Sequence, residues 1–223
     1  MTVTGALETR ISTRAFLPDA VPRETVHRIL DRARWAPSGG NLQPWKVIAV
    51  AGAERETLIT LARARLLENP AGEEGDHPIY PAELWEPHRT WRRDVGEQMY
   101  ALLGIPKDDR AGRLAWLVRN YEFFGAPVGL FLVIDRRMGH GQWAHLGMFM
   151  QSIALVAAEH GLATCMQEAW ARLRTTLHTH FGLPQNEMIY CAIALGHADT
   201  DRPVNRLRTA RAEVDQFTTW RGF

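Results

Sequence analysis

At 223 residues, 46% hydrophobic, 23% charged and with a formal net charge of +1, the chain has the composition of a soluble globular protein sized for one large domain. So near-neutral a balance gives no footing to a nucleic-acid or membrane-surface partner, and the best apolar run, 143–158, is broken by His145, Gln151 and Ser152, so nothing spans a bilayer. Residues 1–10 lack the apolar core of a secretory signal, and Cys165 and Cys191 are too few for a disulfide framework and lack metal-ligand spacing, which fits a reducing cytoplasm and no bound metal.

Residues 7–16 contain Arg10-Ile11-Ser12-Thr13-Arg14, whose alternation puts Arg10, Ser12 and Arg14 on one side of an extended segment. Three phosphate-compatible donors would converge there, although a solvated basic turn has the same pattern. Lysine occurs only at Lys46 and Lys107, and arginine is the cation whose planar fork grips a phosphate through paired hydrogen bonds. Pro18 and Pro22 mark a turn. A helix follows from about Arg23, with Val26, Ile29, Leu30 and Ala33 on its buried face.

Pro37-Ser38-Gly39-Gly40-Asn41-Leu42-Gln43-Pro44-Trp45 then combines turn formers, small residues and amide side chains. It reads as a loop that can approach a flat ligand closely and hydrogen-bond its edge, or as an ordinary helix-to-strand turn. The pattern predicts a strand over 46–51 and a helix over 53–68. From 69 to 94, six prolines and glycines are mixed with Tyr80, Trp85 and Trp91, too proline-rich for a regular element and too aromatic for a passive linker. A lid over a pocket and a dimer-contact excursion both have this composition.

Helical segments are expected from Val95 to about Gly104 and over 108–123, before an apolar strand at 128–134 that reads as buried on both faces. The helix over 143–160 carries Leu146, Gly147, Met150, Ile153, Ala154, Ala157 and Ala158 on one stripe, widened by Met148, Phe149 and Leu155, and so reads as the central one. A short strand or loop at 164–168, a helix over 172–181 and a last strand over 188–195 follow. The tail, 203–223, opens with Arg206, Arg208 and Arg211 and closes with Phe217, Trp220 and Phe223, side chains suited to packing on a partner surface. Helices alternating with few apolar strands make an α+β or α/β sandwich with one modest sheet.

No Gly-x-Gly-x-x-Gly turn, Gly-x-Ser-x-Gly elbow, Walker loop or His-Glu-x-x-His occurs, which disfavours Rossmann, serine-hydrolase, P-loop and zincin chemistry. His178 and His180 stand two apart on a predicted helix and do not share a face. Cys165 has no nucleophile signature. A chain with phosphate donors but no evident nucleophile or metal points to a cofactor that brings its own reactivity.

The order Arg10-x-Ser12-x-Arg14, then Pro-Ser-Gly-Gly-Asn-x-Gln-Pro-Trp, then an arginine-bearing tail after a strand ending in Gly196-His197 resembles the FMN-dependent nitroreductase family over most of the chain. The resemblance implies an α+β fold with a mostly antiparallel central sheet flanked by helices, in an intertwined homodimer with FMN at the interface. It implies electron transfer from NADH or NADPH through FMN to nitroaromatic or quinone-like acceptors, with ping-pong kinetics. Carried over residue by residue, Arg10, Ser12 and Arg14 would hold the phosphate and polar edge of the flavin, completed by Arg211 or, next, Arg208. Pro37, Ser38, Gly39 and Asn41 would reach the flavin held mainly by the other subunit, and Met166, Gln167 and Glu168 would run past its N5 side.

Tyr80, Trp85 and Trp91 would stack on a small aromatic acceptor or pack at the interface. Relatives that dehalogenate iodinated tyrosine read their substrate with a lid Glu, Tyr and Lys. Glu97 and Tyr100 have the wrong spacing for that, and Lys107 is the only lysine nearby, so dehalogenation ranks below nitro or quinone reduction. A flavin-cleaving relative and a non-catalytic flavin-binding protein remain the alternatives.

Overall fold

The computed structural model describes residues 2–223; Met1, the first residue of the stretch read above for a secretory signal, lies outside them. Four strands, β1 (Lys46–Ala51), β2 (Val128–Asp135), β3 (Ala163–Gln167) and β4 (Glu187–Gly196), form one sheet in the order β1-β2-β4-β3, antiparallel at every step. The architecture is therefore α+β.

Alternation along the central strands divides the core in two. Leu130, Leu132 and Ile134 of β2 and Cys191, Ile193 and Leu195 of β4 face α2 (Arg23–Ala33) and α6 (Trp143–Glu159), meeting Val26, Ile29, Leu146 and Ile153. Phe131, Val133, Ile189 and Ala192 face the other way, towards α3 (Gly52–Glu68), α7 (Arg174–Phe181) and a 3-10 segment, Arg119–Gly125. At the centre of that second layer Trp170, fully buried, stacks on Phe123 at 4.7 Å between ring centres and meets Phe131 edge-on at 5.3 Å. Gly129 leaves room for this cluster, since a Cβ there would come within 2.4 Å of the Phe123 ring.

Several boundaries differ from the sequence reading. A short helix, α1 (Val3–Thr9), capped by the Thr2 side chain, takes up Leu7, so only the chain from Arg10 onward is extended. Helix α4 (His88–Leu102) begins inside the stretch expected to be irregular, because Pro87 stands at its N-cap and no proline follows it there. The helix expected over 108–123 is α5 (Arg110–Val118) and then the 3-10 segment, in which Phe123 and Phe124 take left-handed backbone with φ of 52°. Helix α7 starts at Arg174 because Glu168–Leu173 is 3-10.

The breadth of the apolar surface on α6 is only partly used. Leu146, Phe149, Met150, Ile153, Ala154 and Ala157 are buried, whereas Gly147 and Met148 are exposed and Leu155 and Ala158 half-buried. Among the described residues, no helix is long and apolar enough to cross a membrane. Among the described residues, no strand pairs with the outer edge of β1.

Candidate functional site

The outer edge of β3 positions the site. Past α1 the chain turns extended and runs beside β3, with a parallel bridge from Ser12 to Thr164 and the Thr13 N–H donating to the Thr164 carbonyl at 3.0 Å. Asn205 locks this arm from the far end of the sequence. Its Oδ1 accepts the Arg14 N–H at 2.8 Å, and its Nδ2 donates to the Ala15 and Asp199 carbonyls, both at 2.8 Å. Asn205 in turn fixes the tail, since the Arg208 guanidinium donates to the Asn205 and Leu207 carbonyls.

A cavity of about 570 Å³ opens where arm and tail meet, bordered by Thr9, Arg10, Thr13, Thr164, Asn205 and Arg208. The Arg10 Nε is buried there without a hydrogen-bond partner among the described residues, a costly state for a guanidinium unless a ligand supplies the acceptor. Three arginines, Arg10, Arg206 and Arg208, with threonines beside them make this donor set fit a phosphate.

At the other end of β3 lies a cavity of about 1280 Å³. Met166, Gln167 and Glu168 form its floor beside Arg14, Tyr190 and the Gly147 turn of α6. Because a strand advances about 3.3 Å per residue, Thr164 and Glu168 lie about 13 Å apart along the chain. The two cavities thus sit at opposite ends of one short strand, and an elongated ligand with an anionic end and a flat end fits along it. Gln167, 1% exposed, donates to the Asn120 carbonyl at 2.8 Å while its Oε1 is buried without a partner. Burial raises the Glu168 carboxyl above the usual carboxylate range. Burial, with the nearby Glu168 and Cys191 charges, also raises the Tyr190 phenol. Burial pushes the Cys165 thiol up to about 11, against the smaller opposing pull of Arg14 and Arg10, so it stays protonated and inert.

The excursion from 69 onward is two things joined. Its first part is a strap: Glu73 accepts the Thr175 and Thr176 N–H groups, the Thr176 hydroxyl and the Arg65 guanidinium. Asp76 is held by Arg136 and Arg174 at 2.9 and 2.8 Å. Its second part lines the larger cavity through Ile79, Tyr80 and Leu84.

The predicted site residues separate accordingly. Arg10 and Arg208 border the smaller cavity; Arg14, Met166, Gln167, Glu168 and Tyr80 border the larger. The three arm donors do not converge as expected, because Arg10 and Arg14 open on different cavities and Ser12, between them, makes a backbone bridge. Arg211 folds back on the Thr209 and Ala210 carbonyls, exposed and outside both cavities. Trp85 and Trp91 lie outside too, in an edge-on ladder with His88. Glu97 and Tyr100 are both committed to Arg113, through a two-pronged ion pair at 2.7 and 3.0 Å and a cation–π contact at 4.2 Å.

Pro37, Ser38, Gly39 and Asn41 also lie outside both cavities, in a loop shaped by left-handed backbone at Gly40, Asn41 and Gln43. His145 steadies the loop by accepting the Gly39 N–H at 3.3 Å, and Ser38 Oγ accepts the Gln43 N–H at 3.0 Å. Sequence reasoning missed Asn205 and Tyr190. A buried asparagine amid tail arginines is the one signal for the former, and nothing in the β4 pattern distinguishes the latter.

A family model described as the nitroreductase family matches residues 7–197. The chain is 36% identical over 211 residues to the nitrobenzene nitroreductase of Ectopseudomonas oleovorans, covering 95% of this chain and 93% of that one. It is 35% identical over 219 residues to the 4-nitrobenzoate reductase of Pseudomonas putida, covering 98% and 95%. The crystal structure of the FMN and NADPH-dependent nitroreductase NfnB from sphigopyxis sp. strain HMH superposes over the full length of both chains with a TM-score of 0.97 at 43% identity.

Proposed function

The chain belongs to the nitroreductase family, and we propose that it is an FMN-dependent oxidoreductase carrying electrons from NAD(P)H to nitroaromatic acceptors. One observation carries the reading: β3 joins a cationic cavity, with a buried and unpartnered Arg10 Nε, to a wide cavity suited to a flat ring. Relatives named for nitrobenzene and for 4-nitrobenzoate, and a fold-mate named for FMN and NADPH, support the same chemistry.

Arg10, Arg208, Thr9 and Thr13 would take the FMN phosphate, and Met166, Gln167 and Glu168 would flank the ring. When bound, FMN supplies the two-electron chemistry, and the chain's own task is orientation and electrostatic tuning. Among the carboxyl groups bordering the larger cavity, Glu97 is tied to Arg113, whereas Glu168 pairs with no cation among the described residues. The Glu168 carboxyl is thus free to hold a proton beside the acceptor.

The assembly we propose is a homodimer. Trp35, Leu42, Met148, Phe217, Trp220 and Phe223 are between 45% and 102% exposed, large apolar side chains suited to burial against a partner. The 38–43 loop is rigid yet serves neither cavity of its own chain, which fits delivery of Asn41 to the partner's flavin. The tail past Arg208 packs on the partner in the same reading.

Purified protein should be yellow, should bleach anaerobically with NADH or NADPH, and should recover colour with a nitroarene. A yellow protein that neither nicotinamide reduces would sink the reductase reading. A colourless one that cannot be loaded with FMN would sink the site.

A further inference from the structure

Helix α4 turns a row of arginines onto the larger cavity. Arg89, Arg92, Arg93 and Gly96 recur at the i, i+3, i+4, i+7 spacing of one helical face, and all four border the cavity. Two of the three cations are already engaged: Arg93 pairs with Asp94 at 3.1 Å, and Arg89 donates to the Leu84 carbonyl at 3.0 Å with Glu86 at 3.8 Å. Arg92 is different. No carboxylate among the described residues pairs with it; its guanidinium instead lies over the Tyr80 ring, 4.3 Å from the centre.

A cation–π contact uses the flat face of a guanidinium and leaves its N–H groups free in the plane. Gly96, one turn on, removes side-chain bulk beside them. The remaining acids of the cavity do not compete, since Glu97 is occupied by Arg113 and Glu168 stands at the floor.

Resting on the nitroreductase reading, we propose that Arg92, braced by Tyr80, is a specificity residue that receives an anionic oxygen group on the ligand entering this cavity. The favoured source is the carboxylate of an anionic nitroaromatic, which a guanidinium fork binds through two parallel hydrogen bonds. A phosphate on the nicotinamide dinucleotide has the same chemistry.

The FMN-loaded enzyme and its Arg92→Gln and Arg92→Lys variants are assayed with 4-nitrobenzoate and the uncharged 4-nitrobenzamide, each with NADPH and NADH. The expected result is a fall of about tenfold in the 4-nitrobenzoate to 4-nitrobenzamide ratio of kcat/KM in Arg92→Gln. The fall should be carried by KM and should be smaller in Arg92→Lys. A fall instead in the NADPH to NADH ratio assigns the anion to the dinucleotide phosphate and overturns the acceptor carboxylate. Both ratios unchanged overturns Arg92 as an anion reader. If no nitroarene oxidises the reduced wild-type enzyme, the nitroreductase reading itself has failed.

Discussion

Replacing Asn205 tests whether one buried amide organises the phosphate end of the site. The side chain is 7% exposed and makes three hydrogen bonds to backbone. In Asn205→Ala the two carbonyls keep a second donor each, because Ala15 also accepts the Asp199 N–H and Asp199 the Arg202 N–H. The Arg14 N–H is left with none. An orphaned buried donor costs about 2 kcal/mol and each weakened carbonyl about 0.5 kcal/mol, so the substitution should cost about 3 kcal/mol. For a chain of this size that is a drop of roughly 6–12 °C in Tm.

Asn205→Asp separates stability from binding. The carboxylate still accepts from Arg14 but loses both amide donations, and it places a negative charge in the cavity assigned to a phosphate. Apo-protein melting should put both variants well below wild type, since the buried carboxylate of Asn205→Asp would face the Ala15 and Asp199 carbonyls, and flavin fluorescence quenching should rank Asn205→Asp as the weaker FMN binder. A loss under about 1 kcal/mol in Asn205→Ala, or wild-type FMN affinity in Asn205→Asp, would refute the reasoning.

Arg208→Ala should weaken FMN binding by about tenfold and Arg211→Ala by less than about twofold, read by the same quenching titration, since only Arg208 borders the cavity. Gly129→Ala should lower Tm by several degrees with FMN affinity retained, because its Cβ would meet a Phe123 ring that Trp170 prevents from yielding. Glu73 should make the strap acid-labile. Burial pushes this carboxyl up, but the Thr176 hydroxyl and N–H, Arg65 and the Thr175 N–H together hold it below the usual value. A lowered carboxylate stabilises fully above its unfolded value near ~4.3 and loses that contribution as pH falls through the folded value. Protection of the 69–77 amides relative to intrinsic exchange should therefore fall below about pH 4.3 in the wild type and be low at every pH in Glu73→Gln.

Elements whose apolar pattern faces a finished core were legible from sequence, and those whose partners are remote were not. Strand β2 and the start of α2 fall where the pattern puts them, because their apolar residues are answered by the core on either side of the sheet. The second core layer was opaque: Phe123 and Phe124 adopt left-handed backbone that no propensity favours, Phe123 stacking on Trp170 of another 3-10 segment and Phe124 meeting Trp116. The arm motif marked the right residues but not their geometry, since extended alternation says which side a residue faces and not which cavity lies there. Arg208 and Arg211 are indistinguishable by composition, and only the anchoring through Asn205 separates them.

The divided excursion also says which part of the molecule is free to admit ligands. Residues 69–77 are fastened to α7 and to Arg65, Arg136, Arg172 and Arg174, whereas among the described residues the hydrogen bonds made by 78–87 run to residues of α4. Helix α4 contributes no buried residue, and neither does α5 beyond it. Segments with little buried apolar surface open first. The wall formed by 78–87 and α4 should therefore lose amide protection before the 69–77 strap, a ranking that hydrogen exchange reads directly.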